Sequence, residues 1–570
     1  MEPPGLDPIM ANTPLQGLAY AVRTAYGDTF KLAVASGAAK PLLLPWCLLG
    51  PFVVPALWLA VPHRRRTWFY RTRWLAMALV VWSNVYHLRY VSSANMACAY
   101  AAGLASTWGT ILSLNLLVWT RPQFDAARVR RVKKGGDLAR VAGSDDADNS
   151  NHGQGKLQDA RLESTGHEPG GKGAANGDGN GSATGLRTRK ILFKSSEKDS
   201  SQQQEGYEYI WEPYPSAGGF LERLAWTTDL ILSFRGAGWN WSVSSLPRPQ
   251  IPLQISHGDK VDIVSIPKVS RSGYKRHHTT SEFVRDRLAK VVLLYLVLDF
   301  LSVHMVKDPY FILGPDHRGY MLPPHLRNLP PWLLLAYREA FCLAGVYSAI
   351  EAVFAVSDLV QYWLASRFYP SRAALFQFAS TFGSFEQVLD RGLAGWWGGL
   401  WHQTFRMQFS APATYLVREG YYLRRGTPLA SVVAALVSFA QSGVLHASGS
   451  LTSVPETRPW RAPAFFFLQM VGVLLQGLAA WLLGGYVREM PRVVRRAGNL
   501  VFALGWLYST AGLFMDDLSS TGLWTVEPVP VSLFRFLGFG FEGDYWWRWD
   551  RDHLPKVYIG ETWWQTGIAL

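Results

Sequence analysis

The sequence predicts an all-α fold: a polytopic integral-membrane bundle of about eight transmembrane helices, with interfacial helices and a disordered cytosolic insert. Three observations carry that expectation. Nearly half of the 570 residues are hydrophobic and 25 are tryptophan, far above the usual share. Apolar runs of roughly the 20 residues that a bilayer-spanning helix needs recur along the chain. The arginines gather at the ends of those runs, so membrane topology explains the formal charge of +14. A nucleic-acid partner is not expected, because no recognition motif accompanies the charge.

The amino-terminal region, residues 1–134, holds the first three predicted spans. The first, about Leu42 to Val61, contains Pro45, Pro51 and Pro55 and reads as a broken or kinked helix, tolerated where protein or water satisfies the freed carbonyls. The second and third run from about Trp74 to Val91 and Ala94 to Trp119. Arg64, Arg65, Arg66, Arg71 and Arg73 follow the first span, and Arg121, Arg128, Arg130, Arg131, Lys133 and Lys134 follow the third. Basic loops stay in the cytosol, and eight alternating spans then put both chain ends in the lumen or outside. The first residues lack the basic patch and apolar run of a cleaved signal, which leaves the first membrane helix to direct insertion.

Residues 135–205 are rich in Gly, Ser, Asp, Asn and Gln, and nearly free of aromatics. Such a segment cannot bury enough apolar area to offset its ordering entropy and is expected to be a disordered cytosolic linker. In residues 206–282, Phe220 to Phe234 alternates Leu, Trp, Ile and Phe with Glu222, Arg223 and Asp229, the pattern of an amphipathic helix lying in the interface. It runs into Arg235-Gly-Ala-Gly-Trp-Asn-Trp241, a tight turn with two tryptophans suited to headgroup depth. Residues 242 to 280 read as a loop.

Residues 283–570 carry the remaining predicted spans, about Leu288 to Met305, Ala340 to Ala365, Leu429 to Ser448, Ala464 to Val487 and Leu500 to Phe514. Trp524 to Trp564 is crowded with aromatics but broken by Asp544, Asp550, Arg551 and Asp552, and is expected to cap the bundle without spanning it. Cys47, Cys98 and Cys342 sit in apolar runs with no zinc or redox spacing, so they are expected to be buried thiols, and no metal site is predicted.

Chemistry is concentrated between Gly395 and His446. His446 lies near the end of an otherwise apolar helix, where burial keeps an imidazole neutral and able to accept a proton as a general base. Ser442, one turn earlier, or Gln441 could fix its tautomer. A core histidine bonded to a neighbouring helix fits the same spacing. His402 follows Trp396-Trp397-Gly398-Gly399-Leu400-Trp401 and precedes Gln403 and Arg406, so glycines, aromatics and polar groups converge on one short segment. An interfacial aromatic anchor with a snorkelling Arg406 is the alternative there. Asp299, Glu351 and Asp358 fall inside predicted spans and should face the bundle interior, either as a proton relay in a transporter or paired with basic residues. No Gly-x-Ser-x-Gly elbow, phosphate-binding loop or dinucleotide fingerprint is present.

Arg235 to Trp241, then Trp397-Gly-Gly-Leu-Trp-His402-Gln-Thr-Phe-Arg406, then Ser442-Gly-Val-Leu-His446 resemble, in that order, the motifs of the wax-synthase-like branch of the membrane-bound O-acyltransferase superfamily. The closest resemblance is to fungal members that acetylate hydroxyls of terpenoid and other secondary metabolites. It implies an acyl-CoA-dependent O-acyltransferase in which His446 deprotonates a hydrophobic alcohol and His402 positions the donor or steadies the oxyanion. Trp397, Trp401, Gln403, Arg406 and Ser442 then line the substrate and donor site. Gly399 and Leu400 stand where relatives commonly carry arginine, which leaves Arg406, Arg424 or Arg425 to meet the phosphates of acetyl-CoA or another acyl-CoA. The co-substrate is not a bound cofactor, and the endoplasmic reticulum is the expected membrane. A long-chain wax-ester synthase and a proton-coupled transporter are the alternatives.

Overall fold

The computed structural model describes residues 13–134, 206–316, 320–420, 424, 426–550 and 554–570. The predicted linker at 135–205 lies outside the described residues, as does Arg425. Two compact units are distinguished: Met1–Arg131 with Tyr209–Leu570, and Val132–Glu208. All that follows concerns the first.

The chain begins with a helix that the hydropathy runs did not reveal, α1 (Leu15–Ala35). Leu18, Val22, Tyr26, Phe30 and Ala33, each three or four residues from the last, form its buried stripe. Leu42 to Val61 is interrupted, as its prolines require: a π-helical turn, Leu49–Val53, leads into the short α2 (Val54–Ala60). Next come α3 (Arg73–Tyr90) and α4 (Met96–Leu114), the latter capped by the Asn95 side chain on the Ala97 and Cys98 amides and extended by a π-helical turn to Trp119. Later in the chain, α5 (Phe220–Leu232) buries Trp226, Leu230 and Ile231 and packs against α2.

The remaining long helices are α6 (Thr280–Met305), α7 (Pro331–Phe368), α8 (Glu386–Gly395), α9 (Arg406–Arg418), α10 (Pro428–Thr452), α11 (Arg461–Leu482) and α12 (Arg492–Ser520). Thr427 caps α10 with Pro428 at its first position, the pairing that favours a sharp helix start. The last predicted span, Leu500 to Phe514, lies inside a longer α12, which continues into polar sequence at both ends, through Arg492, Arg495 and Arg496 before it and Asp516, Asp517, Ser519 and Ser520 after it.

Six helices among the described residues are long and apolar enough to cross a membrane: α4 with its π-helical extension, α6, α7, α10, α11 and α12. They account for six of the eight predicted spans. The other two differ for visible reasons. Leu42 to Val61 is broken by its prolines, and α3, although continuous, carries Arg73, Asn84, His87 and Arg89 in its 18 residues. Leu429, Val432, Leu436, Val444 and Leu451 of α10 are exposed, as an outward face in lipid would be.

The three acidic residues predicted inside spans, Asp299, Glu351 and Asp358, all have hydrogen-bond partners. Arg287 of α6 bonds Asp358 of α7 at 2.9 Å, and Lys290 of α6 bonds Glu351 of α7 at 2.7 Å. Asp299 accepts from the Ser532 hydroxyl and, at 3.0 Å, from the Phe534 amide, pinning the cap to α6. Within that cap, Glu527 holds both Arg535 and Arg548, and the aromatic segment forms short strands and turns without a spanning helix. The free thiols are buried at Cys342 and half-buried at Cys47 and Cys98.

Candidate active site

Small residues let α4 and α10 come close. A Cβ on Gly103 would overlap the Ser448 carbonyl. Thr452 Oγ1 donates to the Ala99 carbonyl at 2.7 Å, and Thr107 and Ser448 share a hydroxyl hydrogen bond. Such contacts hold helices together in lipid, where the hydrophobic effect gives no drive for association. Gly449 faces the Tyr100 ring, which brings the Tyr100 hydroxyl to 3.1 Å from His446 Nδ1. The partner of the ring is therefore Tyr100 from another helix, and not Ser442 or Gln441 as their spacing suggested. Gln441 instead donates to the Phe409 carbonyl at 3.0 Å. Phe466 stacks on the His446 imidazole at 5.3 Å and Phe514 meets it edge-on at 5.0 Å.

The His402 segment is shaped by its glycines. After α8 the chain tightens into a π-helical turn, Trp396–Leu400, closed by the Trp401 amide on the Trp396 carbonyl at 2.8 Å. A Cβ on Gly395 would overlap the Gln387 carbonyl, and one on Gly399 would press the Gln387 side chain, so the turn packs against α8 only with glycine at both places. Gln403 is buried and donates to the Trp397 and Trp401 carbonyls at 3.0 and 2.7 Å, while Arg406 bonds the Gly398 carbonyl and Gln403 Oε1. Both therefore brace the loop. Tyr274 adds a third support, donating to the Trp401 carbonyl at 2.9 Å. His402 Nδ1 lies 3.1 Å from the buried Thr404 hydroxyl. Burial, with smaller contributions from His446 and Arg235, lowers the His402 pKa to about 3, so the ring is neutral at physiological pH.

Both histidines line one cavity of about 360 Å³, bounded by α7, α10, α11, α12 and the Trp396–His402 turn. Trp397 and Trp401 share it. Gln403, Arg406, Ser442 and Arg424 are not among its lining residues; Arg424 is exposed, on the loop before α10. In each histidine Nδ1 is occupied, which leaves Nε2 for a ligand. Where Nδ1–H donates to Tyr100, the His446 Nε2 lone pair is free to accept a proton. Where the Thr404 hydroxyl donates to Nδ1, His402 Nε2–H is a donor. The two rings can thus play opposite parts with no net charge.

Sequence reasoning missed Tyr100 and Thr404. Thr404, two residues from His402, was within reach of inspection; Tyr100 lies 346 positions from His446 and has no local signal. A second, polar cavity of about 170 Å³ is lined by Arg235, Arg372, Asp229 and Asp358 among others. Arg235, from the first motif, donates to the Ser380 and Ala379 carbonyls at 2.7 and 2.9 Å. Among the described residues no cluster of His, Cys, Asp and Glu is arranged to hold a metal ion.

Residues 378–468, which include both histidines, match the membrane bound O-acyl transferase family. The chain is similar to Acetyltransferase ple2 of Rhodocybe pseudopiperita, 23% identical over 46% of this chain and 58% of that protein. It is 24% identical to the O-Mevalon transferase macI of Penicillium terrestre over 50% of this chain and 60% of the relative. Acetyltransferase pyr8 of Aspergillus fumigatus is 23% identical over 56% and 70%. In the first two comparisons the chain spans about three fifths of the relative's length. No solved structure matches.

Proposed function

We propose that the protein is a membrane O-acyltransferase that moves an acetyl or other short acyl group from acyl-CoA to the hydroxyl of a hydrophobic, terpenoid-like secondary metabolite. The observation that carries this reading is the pair of histidines of the matched segment, each with Nδ1 engaged, on the wall of one largely apolar cavity. His446 Nε2 takes the acceptor's hydroxyl proton as the oxygen attacks the thioester carbonyl. His402 Nε2–H donates to the oxyanion that forms. Collapse of the tetrahedral intermediate breaks the carbon–sulfur bond, and the proton held by His446 passes to the departing thiolate.

Trp397 and Trp401 shape the acyl pocket. A volume of about 360 Å³ is near the lower end of the roughly 300–1,000 Å³ found for small-molecule sites, which favours a short acyl group over a wax-length chain. Leu343 and Leu504 line the cavity and are also exposed on the outer face of α7 and α12, which suits an acceptor arriving from lipid. The CoA phosphates require cationic groups, for which Arg235, Arg406, Arg424 and Arg425 are the candidates. The endoplasmic reticulum is the proposed membrane.

Incubating membranes that contain the protein with labelled acetyl-CoA and a panel of terpenoid alcohols tests the reading. Labelled ester above the level of control membranes is expected, and no ester with any alcohol or short acyl donor would overturn it. Tyr100→Phe addresses the mechanism more finely. It is expected to lower kcat about tenfold with KM within about twofold and unchanged protein level, as loss of one orienting hydrogen bond implies. A fall in protein level with kcat per molecule unchanged would show that Tyr100 only packs against Gly449.

A further inference from the structure

Away from its two histidines the described lining of the active cavity is mostly apolar, with Tyr508 and Glu339 among the exceptions. Glu339 of α7 lies in its wall, and its Oε1 is buried without a hydrogen-bond partner among the described residues. A buried polar atom left unpaired costs roughly 1–3 kcal/mol, so its retention in an otherwise greasy wall calls for a partner that the protein itself does not supply. The adjacent Arg338 grips Asp308 through two bonds at 2.7 and 2.8 Å. Among the described residues no lysine or arginine lines the cavity.

Cys342, one turn along α7 from Glu339, packs in one cluster with Met515 and Phe514 of α12, and Phe514 meets His446 at 5.0 Å. Glu339, Cys342, Phe514, Met515 and His446 all line the same cavity.

We propose that Glu339 is a specificity-determining residue that hydrogen-bonds a second hydroxyl of the acceptor. The preferred acceptor is then a largely apolar molecule that carries a second hydroxyl besides the one acylated; a simple mono-alcohol engages only the histidines. This inference rests on the acyltransferase reading and narrows its acceptor.

The test uses full-length protein in membranes and two acceptors that differ only in the second hydroxyl. Wild type is expected to favour the diol in kcat/KM by about tenfold or more, as sites built around a buried hydrogen bond do. Glu339→Leu should abolish that preference by lowering kcat/KM for the diol while leaving the mono-alcohol within about threefold. Glu339→Gln, which keeps a hydrogen-bonding group, should restore part of it. Equal losses for both acceptors, or an unchanged preference in Glu339→Leu, would overturn the proposal. Acylation of neither acceptor by wild type, together with no ester from any other alcohol, would instead count against the acyltransferase reading itself.

Discussion

Replacing His446 with alanine is expected to lower acyl transfer by about 10² to 10⁴, the usual loss when a general base is removed. The protein level should stay unchanged. The residue is half-buried against the cavity, and its stacking on Phe466 and contact with Phe514 leave a gap on truncation that lies in a space already open to ligand. Labelled ester formed per unit of protein, with the level read from an immunoblot of the same membranes, separates chemistry from folding. Ester formation within threefold of wild type would remove His446 from the mechanism. The alternative from sequence, a core histidine whose role is to bond a neighbouring helix, predicts the opposite result: less protein and similar activity per molecule. The hydrogen bond to Tyr100 is common to both ideas, so the measurement and not the geometry distinguishes them.

The second large effect concerns folding. Arg287→Met is expected to destabilise the protein by about 3–5 kcal/mol, because it leaves the buried Asp358 without its charge partner. Arg287 is 2% exposed and Asp358 6% exposed, and Arg287 also bonds the Phe378 carbonyl at 3.2 Å. Loss of folded protein can be followed in detergent by fluorescence-detected size exclusion after heating. Replacing both partners, Arg287→Met with Asp358→Leu, should recover much of the stability, since an apolar pair of similar bulk avoids desolvating either charge. The doubly substituted protein should still make ester. Failure to do so at normal protein level would mean that the pair serves the reaction and does more than join α6 to α7.

Much of the helical plan was legible because apolar length and basic ends are local properties. Six spans could be found that way, and α12 was misjudged only in extent, where Arg492, Arg495 and Arg496 continue the helix past its apolar part. The broken first run was readable from Pro45, Pro51 and Pro55, but the structure that replaces a helix there depends on contacts far away in the chain. Amphipathic α1 was missed since its buried stripe supplies too few apolar residues to stand out as a run. Within the site, His402, His446, Trp397 and Trp401 could be picked out from sequence and the structure brings them to one cavity. What pairs with each imidazole could not, because a hydroxyl presented by a crossing helix leaves no periodic trace. Glu339 likewise looked like any acidic residue near the start of a span until its neighbours were in place.

The greasy lining of the cavity bears on a reaction that the protein must avoid. A thioester held beside a general base is open to attack by water as well as by alcohol, and water is far more abundant in the cell. Phe465, Phe466, Leu507, Phe514 and Leu518 make up much of the wall between its polar groups, and apolar surface of that kind gives a stray water little to hold it. The acceptor's hydroxyl is then the nucleophile that reaches His446, brought in by the apolar body to which it is attached. Fidelity of the transfer, ester over wasted acetate, would thus be set less by the histidines than by the phenylalanines and leucines around them.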